Sequence, residues 1–102
     1  MYKIQFTDQS VEDVSLIAVH IKYRLKNPES SEMIQRELFA KMRSLKDFPE
    51  RFVKITINGQ QFHRMPVNSF NVYYYVDKEH QTVTIARVLY SGMDINQVAI
   101  IN

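Results

Sequence analysis

Between Phe48 and Val53 the spacing of apolar residues changes from steps of three and four to steps of two. A chain that switches period once, and early, must pack helices against strands. Upstream, Val11, Val14, Ile17, Ala18, Ile21 and Leu25 form the apolar stripe of one amphipathic helix. Thr7, Asp8 and Ser10 are its candidate N-caps, and Ser10 with Asp13 has capping-box spacing. Asn27-Pro28 ends it, because a residue before proline is pushed out of the helical region. A second helix starts at Ser30 or Ser31, carries Met33, Ile34, Leu38, Met42 and Leu45, and stops at Phe48-Pro49. So short a connection predicts an antiparallel helical hairpin.

Downstream, Val53, Ile55 and Ile57 lie on one side of a strand, and Asn58-Gly59 is a strong hairpin signal. The returning strand runs from about 60 to 67, with Pro66 favouring an edge or a bulge near its end. After a turn at Asn68-Ser69, residues 70–76 form a strand rich in aromatic and branched side chains, and 77–80 close a third turn. Residues 82–90 form the next strand, and residues 2–6 a short first one. The last dozen residues suit either a short helix capped by Asp94 or a strand through Ile100-Ile101. The expected architecture is α+β: an N-terminal strand, a helical hairpin, then an antiparallel meander, with helices on one sheet face and the other face open.

A chain of 102 residues with 45% hydrophobic content fits one domain with a thin core, which a partner would enlarge. It has no cysteine, which excludes disulfides, thiolate chemistry and Cys-based zinc or iron–sulfur sites. That, with no signal-peptide pattern and no long apolar run, reads as cytoplasmic, with no membrane role. His20 and His80 have no metal-ligand spacing, and two glycines cannot build a nucleotide-phosphate loop, so no cofactor is expected. A net charge of +2 permits docking on nucleic acid or acidic protein without demanding either.

The pattern Arg64-x-Pro66-Val67, Val72-x-Tyr74-x-Val76-Asp77, Val83-x-Ile85-x-Arg87-Val88-Leu89-Tyr90, closing on Asp94, resembles the C-terminal half of RelE/ParE-type toxins. Ile4-x-Phe6-Thr7, Asn27-Pro28 and Leu45-x-x-Phe48-Pro49 extend the resemblance over nearly the whole chain, more on the ParE-like side. It implies the toxin of a type II toxin–antitoxin module, of the kind associated with plasmid stabilization. Such a toxin is held inactive by a cognate antitoxin whose C-terminal segment wraps the helices and sheet. RelE-like members cleave mRNA in the ribosomal A site, whereas ParE-like members inhibit DNA gyrase. Where members often carry a basic residue before the closing Asp, this chain has Met93, and Tyr90 replaces a histidine. That departure leaves a weakened or inactive toxin as a third alternative.

Metal-free RNA cleavage needs a base, cations for the phosphate, and an acid. Arg64, Arg87, Tyr90, His63, Arg51 and Lys54 supply such groups. Strand alternation, however, sends Arg87 to one face with Val83, Ile85 and Leu89, and Tyr90 to the other with Thr84, Ala86 and Val88; the neighbours His63 and Arg64 also diverge. The set therefore splits between faces, which favours binding over catalysis. Tyr74 belongs to the core side, while Tyr73 and Tyr75 point to the open face as partner contacts. Arg51, Lys54, Arg64, Met93 and Asp94 complete the expected target- or antitoxin-binding set, in a complex with the antitoxin or a dimer.

Overall fold

The computed structural model describes residues 1–24 and 26–98. In order, the chain forms β1 (Lys3–Phe6), α1 (Asp8–Val19), a π-helical turn (His20–Arg24), α2 (Pro28–Arg43), a 3-10 turn (Ser44–Lys46), β2 (Val53–Ile57), β3 (Gln60–Val67), β4 (Phe70–Asp77), β5 (Thr82–Tyr90) and a last 3-10 turn (Ile95–Gln97). The expected α+β order holds. The five strands lie in the order β1-β5-β4-β3-β2. β1 pairs in parallel with β5, and the other neighbours are antiparallel.

Local chemistry explains most boundaries and corrects two of them. Among the three candidate caps Thr7 is the one used, its hydroxyl accepting from Ser10 N at 3.1 Å. Ser10 and Asp13 form no capping box: the Ser10 hydroxyl turns back to Thr7 O, and Asp13 turns to β5. α2 begins at Pro28 rather than at Ser30 or Ser31, because Asn27 caps it by accepting from Ser30 N. Proline in the first turn loses nothing, its missing N–H being unpaired there in any helix. Asn58 and Gly59 both take positive φ, as a tight two-residue hairpin requires. Pro66 sits where β2 no longer covers β3, since the β2–β3 pairing ends at Val53 and Arg64; it is locally at an edge.

The main core lies between the helices and the sheet. Val14, Ile17 and Ile21 meet Leu38, Met42 and Leu45 over Met65, Val72, Tyr74, Val83, Ile85 and Val88. The stripes are rotated slightly from their expected centres. Val11 and Met33 are exposed, while Ser10 and Ser31 are buried instead. Ser31 is accommodated because its hydroxyl donates to Ala18 O of α1 at 2.9 Å, which also ties the two helices together. Leu25 and Ile100-Ile101 lie outside the described residues.

The opposite sheet face is not open. Ile57, Phe62, Tyr73, Ala86 and Leu89 form a second buried cluster, with Ile55, Tyr75, Ile95 and Val98 packed on it. Ile95 and Val98 belong to the segment after β5, so the C-terminal turn returns across this face, with Asp94 accepting from Asn96 N at its start.

Gln81, in the turn between β4 and β5, holds a φ of +47°. Side chains other than glycine disfavour that region, so Gln81→Gly is expected to raise the unfolding free energy by up to about 1 kcal/mol in urea titrations.

Candidate functional site: a cleft between α1 and the end of β5

The site arises from a mismatch in strand length. β1 ends at Phe6, so β5 loses its neighbour beyond Ile85. Thr7 takes over for two carbonyls, its N–H donating to Ile85 O and its hydroxyl to Ala86 O. At the same place β5 bulges: Ile85 pairs with Tyr74 and Arg87 with Tyr73, leaving Ala86 as an extra residue. A bulge offsets the alternation of side chains by one.

This bulge overturns the expected parity. Tyr90 now shares the helix-facing side with Val88, Ile85 and Val83, and packs against Phe70 at 4.7 Å. Leu89, by contrast, goes to the second cluster with Ala86. Arg87 reaches α1, where Asp13 accepts from its Nε at 2.8 Å and its Nη2 at 2.9 Å, and also from the Val88 N–H at 2.9 Å. Both side chains are nearly buried, at 14% and 10% exposure. The Asp13 carboxylate holds the Arg87 guanidinium above its ordinary pKa, against the opposing effect of burial.

Through its reach to Asp13, and despite its opposite parity, Arg87 lines one cleft with Tyr90, of about 460 Å³, together with Asp13, Leu16, His20 and Met93. His20 is the residue that sequence reasoning passed over, having been weighed only as a metal ligand. Its ring lies edge-on to Tyr90, centroids 6.5 Å apart. Its signal was available, since Asp13, Leu16 and His20 recur at helical spacing along one face.

The other candidates lie elsewhere. Arg64 is exposed on the second face, opposite Val53 and Tyr73, with no ion pair or hydrogen bond among the described residues. His63 is buried in β3, stacked on Tyr74 at 5.1 Å, and its Nδ1 meets Phe52 O at 2.9 Å. A carbonyl only accepts, so that nitrogen carries the proton. Arg51 is committed to the chain itself: Nη1 donates to Ser44 O, Asp47 O and Phe48 O, and Nη2 to the Ser44 hydroxyl. Lys54 is exposed on the edge strand β2. Tyr73 is 2% exposed and has no surface to offer; Tyr75 is half-buried with its ring against Phe62. Asp94 is at the surface and is used as a cap.

The Tyr74 hydroxyl donates to Pro49 O inside the core, and burial pushes its pKa well above the ordinary 10.0, against the pull of the nearby Arg51 charge. A raised folded-state value means that this contribution to stability is complete below the unfolded-state pKa. It is lost as pH rises above about 10 towards the folded value. Tyr74→Phe is expected to flatten that alkaline loss in urea midpoints measured against pH.

Chemically, the cleft offers a tyrosine hydroxyl and an imidazole, but its guanidinium is already matched by a carboxylate. Among the described residues no cluster of three or more His, Asp or Glu side chains could hold a metal ion. No helix there is long and apolar enough to cross a membrane.

Residues 4–95 match the model of the ParE toxin of the parDE type II toxin–antitoxin system. The chain belongs to this family. Among curated protein sequences, none matches closely enough to count as a relative. Solved structures agree in fold. A chain of a chromosomal ParDE toxin–antitoxin system from P. aeruginosa superposes with a TM-score of 0.73 at 15% identity, covering 88% of this chain and 96% of that one. A chain of an archaeal RelE–RelB complex from Pyrococcus horikoshii gives 0.63 at 17% identity, covering 91% and 98%. A chain of a RelBE toxin–antitoxin complex from Mycobacterium tuberculosis gives 0.60 at 19%, covering 87% and 96%. The fold is thus the one shared by ParE- and RelE-type proteins, and the family match places this chain on the ParE side.

Proposed function

We propose that this ParE-family toxin arrests growth in the cytoplasm by binding DNA gyrase, and that a cognate antitoxin neutralises it. The observation that carries the choice of binding over catalysis is the Asp13–Arg87 pair. A nuclease would need a cation free to meet the phosphate in the transition state. Here the arginine of the cleft is held by a carboxylate, Arg64 lies on the other sheet face, and His63 is sequestered in the core. Binding needs only a shaped surface, and Leu16, Tyr90 and Met93 provide exposed apolar area at the cleft mouth.

A second reading, ribosome-dependent mRNA cleavage, draws on one specific observation: Tyr90 and His20 stand ring to ring in that same cleft. Controlled expression separates the two. The gyrase reading expects DNA breaks and filamentation while translation continues, and rapid codon-dependent mRNA cleavage would overturn it. Harmless expression that becomes toxic on Met93→Arg would instead identify Met93 as the cause of lost toxicity.

A further inference from the structure

The sheet ends on one side in an unpaired strand. β2 pairs with β3 alone, and among the described residues no hydrogen bond reaches its outer edge. The other edge strand, β1, is tied to the chain at its start, where Tyr2 N–H donates to Lys46 O at 3.0 Å. The hairpin decides which groups of β2 face outwards. In a two-residue hairpin the residues flanking the turn exchange both backbone hydrogen bonds, and the exchange recurs at every second pair. The turn is Asn58-Gly59, so Ile57, Ile55 and Val53 bond to Gln60, Phe62 and Arg64. The N–H and C=O groups of Lys54 and Thr56 therefore point away from the sheet. Their side chains share the helix-facing side with His63, which stacks on the core Tyr74. Val53, Ile55 and Ile57 lie on the side of the second cluster, and Val53 is still 52% exposed there.

We infer that β2 pairs antiparallel with β2 of a second copy of this chain, about a two-fold axis at Ile55, joining two sheets into one. An isologous contact of this kind needs a strand that complements itself, and β2 does so in bonding, burial and charge. Lys54 exchanges both hydrogen bonds with the partner's Thr56, and Thr56 with the partner's Lys54. Val53 meets the partner's Ile57, and Ile55 meets the partner's Ile55, which covers Val53 and continues the second cluster into the other copy. This register pairs all of Val53–Ile57. Centring the axis on Lys54 sets two lysines directly opposite, which is unfavourable. Centring it on Thr56 sets Val53 and Lys54 against the partner's Asn58-Gly59 turn, where the strand has ended. An edge lysine commonly guards a strand against pairing. Here it faces a threonine, and the two lysines are diagonal neighbours roughly 7–8 Å apart. Their repulsion weakens the dimer without forbidding it. So short a contact is small for a stable interface, which makes the dimer a weak one. A strand of unrelated sequence could satisfy the same backbone groups, but it would have no reason to hold Ile55 on a symmetry axis. The inference uses neither the cleft nor the gyrase reading.

The chain has no cysteine, so single-cysteine variants of the full chain read the register directly. Ile55→Cys, Lys54→Cys and Thr56→Cys are incubated in a glutathione redox buffer, and covalent dimer is followed on non-reducing gels. Residue 55 and its copy form a non-hydrogen-bonded pair about 4.5 Å apart between Cα atoms, within disulfide reach. Ile55→Cys should therefore cross-link at least roughly tenfold faster than Lys54→Cys or Thr56→Cys alone, whose copies lie on diagonals too long to bridge. An equimolar mixture of Lys54→Cys and Thr56→Cys should cross-link faster than either component, because those positions are directly opposite. Both are exposed, so the mixture reads the register even where Ile55→Cys disturbs the hairpin. In sedimentation velocity, unaltered chain mixed with Lys54→Glu should associate more strongly than either protein alone, the diagonal repulsion having become an attraction. Equal cross-linking at the three positions, a mixture no faster than its components, or no gain on mixing with Lys54→Glu would each overturn the inference.

Discussion

Asp13→Ala is expected to lower the unfolding free energy by about 3–5 kcal/mol, the cost of stranding a buried charge. The carboxylate receives Arg87 through two nitrogens and the backbone N–H of Val88, at a point where β5 has lost its β1 neighbour on that edge. Removing it leaves a guanidinium at 14% exposure without that counter-charge, and a strand N–H without that acceptor. The pair is therefore not equivalent to Arg36–Glu32, which is solvent-exposed on both sides and worth well under about 1 kcal/mol. Asp13→Ala combined with Arg87→Met should recover part of the loss, because an apolar side chain there needs no partner. Urea titration of the three proteins checks both statements. A loss below about 1 kcal/mol for Asp13→Ala would show that the bulge does not depend on this residue.

Phe62→Ala should cost about 3–5 kcal/mol, as for truncation of a large, fully buried aromatic. Phe62 is 1% exposed and sits in the second cluster, not in the helix-facing core. Val53→Ala, on the same sheet face but half exposed, should change stability by no more than about 0.5 kcal/mol. The contrast is diagnostic. If the second face were open to solvent, the two substitutions would have similarly small effects.

That face marks the limit of what alternation alone reveals. The order of strands and helices, the Asn58-Gly59 hairpin and the core parity of Tyr74 all follow from local spacing, and they hold. The second cluster was readable in principle: β4 reads Phe-Asn-Val-Tyr-Tyr-Tyr-Val, apolar at both parities, and strands buried on both faces lack clean alternation. What covers it, the return of Ile95 and Val98, depends on tertiary placement and leaves no mark in the period.

The site was less legible, and for a definite reason. Strict alternation correctly divides Arg87 from Tyr90, but the extra residue at Ala86 moves Val88 and Tyr90 to the side of Val83 and Ile85, and Arg87 joins the same cleft because its long side chain reaches Asp13 of α1. A bulge has no strong sequence signature when no glycine is used. Asp13 was read as half of a capping box because it stands three residues after Ser10. In the fold Thr7 caps the helix, which releases Asp13 for β5. His63 and Arg51, both plausible on residue type, are consumed by backbone carbonyls of the segment that joins α2 to β2. Such demands become visible only when the turn itself is built.

The central claim, that the chain acts by binding gyrase and not by cutting RNA, is tested most directly by adding the purified protein to DNA gyrase with relaxed plasmid and ATP. Loss of supercoiling, with no cleavage of mRNA in a parallel translating-ribosome reaction, is the predicted result. Unimpaired supercoiling together with codon-dependent mRNA cleavage would contradict it.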